Sequence, residues 1–242
     1  MRFFTQKENI RAGEIIIDDA PDIHHITHVL RLKEGALFTV FDSDGWEYEV
    51  ELLSASKKEA RVKILDKMKN SREPDIRVTL FQGIPKQGKM ENIIQKSVEL
   101  GAGCIVPVVT SRVIGKPVGK TERWQKVAEE AVKQCRRAAI PPVTKEIAFS
   151  EMTDMLCSGT YDAAVFAYEN EENRSLKDAL RNFSEKPRSL AVVIGPEGGF
   201  SEAEARALAA AGAESVSLGK TILRTETAGP AAVAMVMYEM EM

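Results

Sequence analysis

The sequence predicts an α/β protein in which a small β-barrel precedes a mostly parallel sheet that helices cover on both faces. Strand-like apolar runs alternate with amphipathic helical patterns over residues 76–240, as is typical of a parallel sheet. Residues 1–70 carry instead several β-type runs separated by turn signals. Residues 67–74 are polar, end in proline and predict a linker, so the domains are expected at residues 1–71 and 72–242.

The first domain is expected to hold four strands and one short helix. The strands are predicted at residues 14–17, 36–41, 46–53 and 60–65, and the helix at residues 22–30, where it would plug one end of the barrel. The tetrapeptide Asp42-Ser43-Asp44-Gly45 predicts a hairpin turn between the second and third strands. His24 and His28 are four residues apart, but no acidic or cysteine residue completes a ligand set, so no metal is expected.

The second domain is expected to alternate five strands with five helices. The strands are predicted at residues 76–81, 104–109, 163–167, 191–194 and 215–218, and the helices at residues 89–100, 122–139, 175–183, 202–211 and 228–240. Ligands of parallel sheets bind outside the carboxyl ends of the strands. The loops that follow the strands are therefore the candidate ligand site.

Composition is that of an ordinary soluble protein, because 44% of the residues are hydrophobic and 29% are charged. No apolar run is long enough to cross a bilayer, and the first residues lack the apolar core of a secretory signal. The three cysteines are widely spaced and fit neither a disulfide framework nor a zinc site. A reducing, cytoplasmic location is therefore expected.

Charge is unevenly distributed along the chain. Residues 72–145 carry a net charge of +7, whereas residues 1–71 carry −2 and residues 146–242 carry −8. A basic segment within an acidic protein predicts a surface that binds a polyanion such as nucleic acid. The alternative is a solvated helix face without a partner.

Two glycine-containing loops in the C-terminal third are the strongest indication of a ligand site. An apolar run ends at Ile194 and is followed by Gly-Pro-Glu-Gly-Gly at residues 195–199, and Ser201 and Glu204 then have the spacing of a helix capping box. A second loop over residues 218–228 also follows a strand and opens a helix. Glycine lets a ligand approach backbone N–H groups, so the two loops predict one cavity for a small, polar, adenosine-like ligand. Their spacing matches neither the dinucleotide fingerprint nor the Walker phosphate loop.

Positively charged side chains are expected to contact phosphates from three places. The loop over residues 83–89 holds two lysines and two glycines between a strand and a helix, which suits phosphate contact. The end of the next strand and the long helix after it supply further cations. The candidates are Lys86, Lys89, Arg112, Arg123, Arg136 and Arg137.

These motifs resemble those of the ribosomal RNA small subunit methyltransferase E family, which belongs to the SPOUT class of knotted methyltransferases. The resemblance is carried by Lys86…Lys89-Met90-Glu91, Gln95-Lys96…Glu99-Leu100-Gly101, residues 194–201 and Leu218-Gly219…Ile222-Leu223-Arg224-Thr225-Glu226-Thr227-Ala228. Residues 25–32 also resemble the PUA-like N-terminal barrel of the family. The resemblance covers nearly the whole chain, and the two C-terminal motifs together are highly specific.

The resemblance implies a C-terminal trefoil knot whose loops hold S-adenosylmethionine. It also implies methylation of N3 of a uridine in 16S ribosomal RNA of the small subunit by a homodimer, with residues from both subunits at each site. The residues implied to bind the cofactor are Ile194, Gly195, Pro196, Glu197, Gly198, Gly199, Leu218, Gly219, Ile222, Leu223, Thr227 and Ala228. Arg31 joins the six cations above as an expected RNA contact, and the last helix is expected at the dimer interface rather than wholly within its own domain.

The expected catalytic residues are Arg224, the partner subunit's Arg112 and Glu226. A guanidinium would stabilise the anion that forms when uracil N3 loses its proton. Glu197 and Glu226 are both candidates for the proton acceptor. Because N3 lies on the Watson–Crick edge, the target uridine must be unpaired or flipped out of the helix.

One departure from the family pattern is visible, since Lys220-Thr221 stand where the family commonly has proline and arginine. No side-chain role is therefore expected at these two positions. The alternatives are a SPOUT enzyme that methylates a ribose 2′-hydroxyl or a guanine of transfer RNA, a non-catalytic RNA-binding assembly factor, and an unrelated nucleotide-using enzyme. The N-terminal barrel and the loop with residues 86–89 disfavour a SPOUT enzyme with another target. The two intact glycine loops disfavour a non-catalytic factor, and the missing phosphate-loop spacing disfavours an unrelated nucleotide-using enzyme.

Overall fold

The computed structural model describes residues 1–42, 44–70, 72–86, 88–113 and 120–242. By its contacts the chain divides into two units. The first consists of Met1–Glu73 with Val132–Ile140, and the second of Pro74–Ala131 with Pro141–Met242. Among the described residues, no helix is long and apolar enough to cross a membrane.

The first unit is built on a six-stranded sheet. Its strands are β1 (Arg2–Phe4), β2 (Ile10–Arg11), β3 (Glu14–Ile17), β4 (Leu37–Phe41), β5 (Trp46–Ala55) and β6 (Ala60–Lys69), in the order β1-β4-β5-β6-β3-β2. Only the β1–β4 pair is parallel among the pairs described. Alternate side chains of these strands enclose a core that includes Phe3, Ile15, Val50 and Val62.

The predicted hairpin between β4 and β5 is confirmed, since the two strands pair antiparallel. Asp42 fixes its turn, because one carboxylate oxygen accepts the N–H groups of Asp44 and Trp46 and the other accepts the Tyr48 hydroxyl at 2.8 Å. Ser43, in the middle of the predicted turn, lies outside the described residues.

The predicted linker over residues 67–74 was wrong at its start, because β6 continues to Lys69. The ammonium groups of Lys67 and Lys69 lie 4.0 and 5.0 Å from the Trp46 ring centroid on the neighbouring strand. These cation–π contacts let charged residues occupy an exposed strand face. A polar composition therefore did not mark the end of the strand.

The helix of the first unit begins earlier than predicted. Asp19 accepts the N–H of Asp22 as the N-cap of α1 (Ala20–His24), with Pro21 in the first turn. A π-helical turn, His25–Val29, continues it and buries Ile26 in the barrel core. The helix therefore contributes to the core of the first unit, and its expected position at one end of the barrel stays a prediction.

The second unit is a six-stranded sheet in which every described pair is parallel. Its strands are β7 (Arg77–Gly83), β8 (Cys104–Val109), β9 (Ile147–Ala148), β10 (Ala163–Ala167), β11 (Ser189–Ile194) and β12 (Glu214–Val216), in the order β12-β10-β11-β7-β8-β9. Its helices are α2 (Lys89–Glu99), α4 (Phe149–Cys157), α5 (Leu176–Arg181), α6 (Glu202–Ala210) and α7 (Thr225–Glu241), together with all but the last turn of α3 (Thr121–Cys135). The expected α/β fold with a parallel sheet is confirmed.

The strand order places β7 beside β11, although the two are far apart in sequence. Leu190–Ile194 of β11 is a run of buried apolar residues, as a strand covered on both faces requires. From β7 the chain continues to β8 on one side of the sheet, and from β11 it continues to β12 on the other side. Ligands of open parallel sheets bind where two neighbouring strands are followed by connections in opposite directions. The trefoil knot itself stays a prediction.

Helix α3 ends at Cys135, not near residue 139 as expected. Arg136 takes a left-handed conformation with φ of +64°, which stops the helix. Arg136 and Arg137 therefore lie beyond the helix rather than on it. The short strand β9 and helix α4 were not predicted at all.

Candidate functional site

A cavity of about 470 Å³ lies in the second unit, where β10, β11 and β12 end and α7 begins. Both glycine loops line it, so they form one site, and its size suits a small-molecule ligand. The lining residues are Lys89, Ala167, Tyr168, Glu169, Ile194, Gly195, Pro196, Glu197, Gly199, Phe200, Val216, Ser217, Leu218, Gly219, Thr221, Ile222, Leu223, Arg224, Thr225, Glu226 and Ala228.

Most residues expected to contact a cofactor are in this lining, and so are Arg224 and Glu226. Gly198 and Thr227 are outside it. Several lining residues were not predicted, namely Ala167, Tyr168, Glu169, Phe200, Val216, Ser217, Thr221 and Thr225. Ala167 is the last residue of β10, and Tyr168 and Glu169 follow it, so the rule that ligands lie at the carboxyl ends of parallel strands could have indicated them.

The first glycine loop needs glycine for reasons of space and backbone conformation. Gly199 has a φ of +63°, and a Cβ there would lie 2.8 Å from a carboxylate oxygen of Glu169. A Cβ on Gly195 would lie 3.2 Å from backbone carbons of Gly199. The loop is therefore folded tightly on itself beside the cavity.

Gly83, at the end of β7, allows the first glycine loop to pass directly over it. A Cβ at this position would lie 2.5 Å from the backbone nitrogen of Pro196. Backbone atoms cannot move aside as a flexible side chain can. The close approach of β7 and β11 at the cavity therefore depends on Gly83.

A buried hydroxyl joins three segments at the floor of the site. The Thr225 hydroxyl donates to the carbonyl oxygen of Gly195 at 2.7 Å and accepts from the Gln82 side-chain nitrogen at 2.9 Å. All three residues are buried. A hydrogen bond in such a dry environment is costly to lose, so this arrangement holds α7 to β7 and β11.

Lys89 forms ion pairs with both glycine loops. Its ammonium lies 3.1 Å from a carboxylate oxygen of Glu197 and 3.1 Å from one of Glu226. Glu197 also accepts the backbone N–H of Lys86 at 3.0 Å. Lys89 was expected to bind RNA, but its charge is already matched by two carboxylates.

These contacts change the acidity of both carboxyl groups. Burial raises the pKa of Glu197, but backbone N–H groups and the Lys89 ammonium outweigh it and lower the pKa below its usual value. The pKa of Glu226 is lowered by its own backbone N–H at the start of α7 and by Lys89. Lowered pKa values make both groups weaker proton acceptors than ordinary glutamates.

Arg224 is the N-cap residue of α7, and its carbonyl oxygen accepts the N–H groups of Thr227 and Ala228 at 2.8 Å. Its side chain is exposed and lines the cavity. Among the described residues, its guanidinium has no hydrogen-bond or ion-pair partner. It is therefore a cation at the cavity that is available to a ligand.

The other cations expected to bind RNA have varied surroundings. The Arg112 guanidinium donates to the carbonyl oxygen of Gly198 in its own chain. Arg123 is 72% exposed but pairs with Glu91 at 3.0 Å. Arg31, Lys86 and Arg136 are exposed, and Gln87 beside Lys86 lies outside the described residues.

Arg137 is buried in the first unit, which does not suit contact with a phosphate. Its guanidinium lies 2.7 Å from a carboxylate oxygen of Glu73 and is 8% exposed. Glu73 also accepts the N–H groups of Ala138 and Ala139. Burial raises the pKa of Glu73, but Arg137 and these N–H groups outweigh it and lower the pKa. The position favours a structural role for Arg137.

The histidines of the first unit lie outside this cavity. The rings of His24 and His28 are stacked with centroids 4.8 Å apart. In the part of the chain that the structure describes, no group of three or more His, Cys, Asp and Glu residues is arranged to hold a metal ion.

Family models match both units. An RNA methyltransferase domain model matches residues 72–237, and an RNA methyltransferase PUA domain model matches residues 17–65. The expected PUA-like character of the barrel is thus confirmed. The first match covers well over half of the chain.

Similar proteins share one description. The protein described as ribosomal RNA small subunit methyltransferase E of Bacillus subtilis is 34% identical over 100% of this chain and 97% of its own length. The protein of the same description from Synechocystis is 33% identical over 97% of this chain and 76% of its own length.

Solved structures give the same result. The ribosomal RNA small subunit methyltransferase E of Neisseria gonorrhoeae bound to S-adenosyl methionine is 30% identical, with a TM-score of 0.86 and coverage of 98% of this chain and 96% of that one. A methyltransferase of Legionella pneumophila in complex with the bound cofactor SAM has the same TM-score and coverage at 28% identity.

Proposed function

The chain belongs to the ribosomal RNA small subunit methyltransferase E family, and we propose that it transfers a methyl group from S-adenosylmethionine to N3 of a uridine in 16S ribosomal RNA. The observation that carries this proposal is the shared cavity of the two glycine loops, whose lining includes Arg224, a cation with no ion-pair partner within the described part of the chain. The reaction is proposed to take place in the cytoplasm.

The cavity suits the proposed cofactor in shape and charge. Ile194, Leu218, Leu223 and Ala228 supply an apolar lining for an adenine ring, and the glycines leave backbone groups accessible. Glu169 lines the same cavity and has no hydrogen-bond or ion-pair partner among the described residues. Its carboxylate favours a ligand that carries a positive charge, as a sulfonium does.

The cofactor, when bound, supplies an electrophilic methyl group without the help of a metal. The part of the protein is then to hold the uracil ring in line and to stabilise the negative charge that develops on it. Alignment of two reactants can lower the activation barrier by roughly 7–11 kcal/mol. A positioned base raises the rate by about 10²–10⁴-fold, which corresponds to a barrier lower by about 3–5 kcal/mol. Positioning by the loops is therefore the larger contribution.

Arg224 is proposed to stabilise the uracil anion, because it lines the cavity, is exposed and forms no ion pair within 4 Å with a described carboxylate. The partner subunit's Arg112 stays a second candidate. Glu197 and Glu226 are poor candidates for the proton acceptor, because their pKa values are lowered and both bind Lys89. We propose that solvent takes the N3 proton.

RNA is proposed to be held by exposed cations and by the barrel of residues 1–71. Arg31, Lys86, Arg123 and Arg136 are exposed and suited to phosphates, which position an RNA without reading its sequence. The target uridine must leave its base pair before N3 becomes accessible.

The protein is proposed to act as a homodimer through α7. Met235 and Tyr238 of this helix are 38% and 69% exposed, although the opposite face of the helix is buried. Exposed large apolar groups on a helix rich in small residues suit close packing against a second copy.

The proposed function is tested with small ribosomal subunits that lack the modification. They are incubated with the protein and isotope-labelled S-adenosylmethionine, and the RNA is digested and analysed by mass spectrometry. The expected product is one labelled 3-methyluridine per subunit. A label on a ribose, on a guanine or on transfer RNA would overturn the proposed target, and no label in any RNA would overturn the activity.

A further inference from the structure

The Lys89 side chain contacts both glycine loops at once. We propose that Lys89 is a positioning residue that ties the two loops together and thereby sets cofactor affinity, rather than a phosphate contact for RNA. This inference deepens the proposed function and rests on it for the identity of the ligand.

The ion pairs of Lys89 join segments that the sheet itself does not connect. Glu197 lies in the loop after β11, and Glu226 lies in the first turn of α7. Each carboxylate is 3.1 Å from the same ammonium nitrogen, and both residues line the cavity. Lys89 therefore contacts both loops from a third segment of the chain, the start of α2.

The position of Lys89 in its helix supports this role. It is the first residue of α2, where a cation is unfavourable because the helix N-terminus carries partial positive charge. The carboxylates of Glu197 and Glu226 offset this unfavourable interaction with the helix N-terminus. The buried neighbours Met90, Ile93 and Ile94 anchor α2 to the core, so the lysine extends from a fixed backbone.

Removal of Lys89 would leave Glu197 and Glu226 without the ammonium group that both now contact. Like charges at short range repel, and this repulsion would favour separation of the loops. A ligand that needs both loops would then bind to a smaller fraction of the molecules. The charge of Lys89, by contrast, is already neutralised and adds little to attraction of a phosphate.

The first test measures the loops without any ligand. Hydrogen–deuterium exchange of residues 195–199 and 224–228 is compared in wild type, Lys89→Met, Lys89→Arg and Lys96→Met. Lys96 is the matched control, because it lies on α2 and pairs with Glu99 on the same helix. Exchange in both segments is expected to be on the order of three- to tenfold faster in Lys89→Met and close to wild type in the other two variants.

The second test separates cofactor affinity from RNA affinity. Calorimetry with S-adenosylmethionine and no RNA is expected to give a Kd roughly tenfold higher for Lys89→Met, with recovery in Lys89→Arg. The slope of log affinity for small-subunit RNA against log salt is expected to equal that of wild type. A slope smaller by about one with an unchanged cofactor Kd would show a phosphate contact and overturn the proposal.

The two tests distinguish this inference from the proposed function. Wild-type protein that gives no heat with S-adenosylmethionine would overturn the proposed function. The exchange measurement on ligand-free protein would still test whether Lys89 holds the two loops together. If exchange in Lys89→Met equals that of wild type in both segments, Lys89 does not hold the two loops together, whatever ligand the cavity binds.

Discussion

The hydroxyl of Thr225 donates a hydrogen bond of 2.7 Å to the carbonyl oxygen of Gly195, which connects the start of α7 to the first glycine loop. Gln82 of β7 completes this buried bridge by donating to the same hydroxyl at 2.9 Å. Thr225 thus links the first glycine loop to the start of α7, as proposed for Lys89, and both residues line the cavity. One contact is neutral and dry, and the other is ionic and half-exposed.

Thr225→Val should destabilise the protein, because valine keeps the shape of threonine but leaves the Gly195 carbonyl and the Gln82 amide without this partner. The expected loss in the free energy of unfolding is about 1–3 kcal/mol. Urea unfolding measures it, with Thr227→Val as the control. Thr227 is exposed on the same turn, so its replacement should change stability by less than about 0.5 kcal/mol. Equal effects of the two substitutions would contradict the bridge.

Gly229→Ala should also be destabilising, which is the reverse of the usual result in a helix. Alanine in a helix interior is ordinarily favoured over glycine by about 1 kcal/mol. Here a Cβ would lie 2.6 Å from the side-chain oxygen of Gln82, which is fully buried and fixed by its amide hydrogen bonds. A loss of about 1–3 kcal/mol is expected in thermal unfolding.

The control for this prediction is the same substitution in a Gln82→Ala background. Shortening Gln82 removes the obstructing atom, so Gly229→Ala should then become neutral or stabilising. A rise in the Tm for Gly229→Ala in the wild-type background would mean that Gln82 does not restrict this helix.

Local sequence pattern was sufficient wherever neighbouring residues determine the structure. The buried run of β11, the glycine loop after it and the Ser201 cap of α6 follow from short motifs, and the structure contains all three. The end of α3 could not be predicted in this way. It depends on a positive φ at Arg136, a conformation that arginine rarely adopts and that no local residue type signals.

The partners of the charged residues could not be predicted for a different reason. Lys89 pairs with carboxylates 108 and 137 residues away in sequence, so only the folded sheet brings them together. A lysine in a glycine-containing loop suggested phosphate, and residue type alone could not separate that role from an ion pair. The same holds for Arg137, because its pairing with Glu73 depends on residues 132–140 folding together with residues 1–73 in the first unit.

Glu73 should make the stability of the protein depend on pH in the acidic range. Burial raises its pKa, but Arg137 and two backbone N–H groups lower it below the unfolded value of 4.5. A lowered folded pKa means that the stabilisation is complete above the unfolded pKa and is lost as the pH falls through the folded one. The free energy of unfolding should therefore fall below pH about 4.5, and less steeply in Glu73→Gln.

Urea unfolding between pH about 6 and about 3 measures this difference. Glu34→Gln is the control, because Glu34 is an exposed residue of the first unit whose carboxylate has no hydrogen-bond or ion-pair partner among the described residues. That variant should follow the wild-type curve. Parallel curves for wild type and Glu73→Gln would mean that the Arg137 pair contributes nothing that depends on the ionisation of Glu73.

Replacement of the exposed apolar residues of α7 should separate the proposed dimer. Buried charge at an interface is strongly unfavourable, and aromatic residues contribute more than most to such interfaces. The double variant Met235→Glu with Tyr238→Glu should raise the dimer Kd by about tenfold or more in sedimentation equilibrium. Met242→Glu, at the 94% exposed last residue, should leave it unchanged. Wild-type protein that sediments as a monomer would rule out the dimer.

Arg224→Ala should slow methyl transfer without preventing binding of the cofactor. The side chain has no described partner, so its loss leaves the fold and the loops intact, while the negative charge on the uracil loses its stabilising cation. Loss of one such group typically costs about 10²–10³-fold in rate. A single-turnover assay with saturating S-adenosylmethionine and small subunits measures the chemical step, and calorimetry measures the cofactor Kd, which should stay within about threefold of wild type.

Lys220→Ala is the matched control for Arg224→Ala, because it removes a positive charge from an exposed residue of the same loop that is not in the cavity lining. Its single-turnover rate should equal that of wild type. Arg224→Lys should recover part of the rate, since lysine keeps the charge but not the planar geometry. A normal rate for Arg224→Ala would remove Arg224 from the chemical step. A slow rate for Arg112→Ala would then move the anion-stabilising role to the partner subunit's Arg112, provided that the cofactor Kd is unchanged, because Arg112 also contacts the Gly198 carbonyl of its own chain.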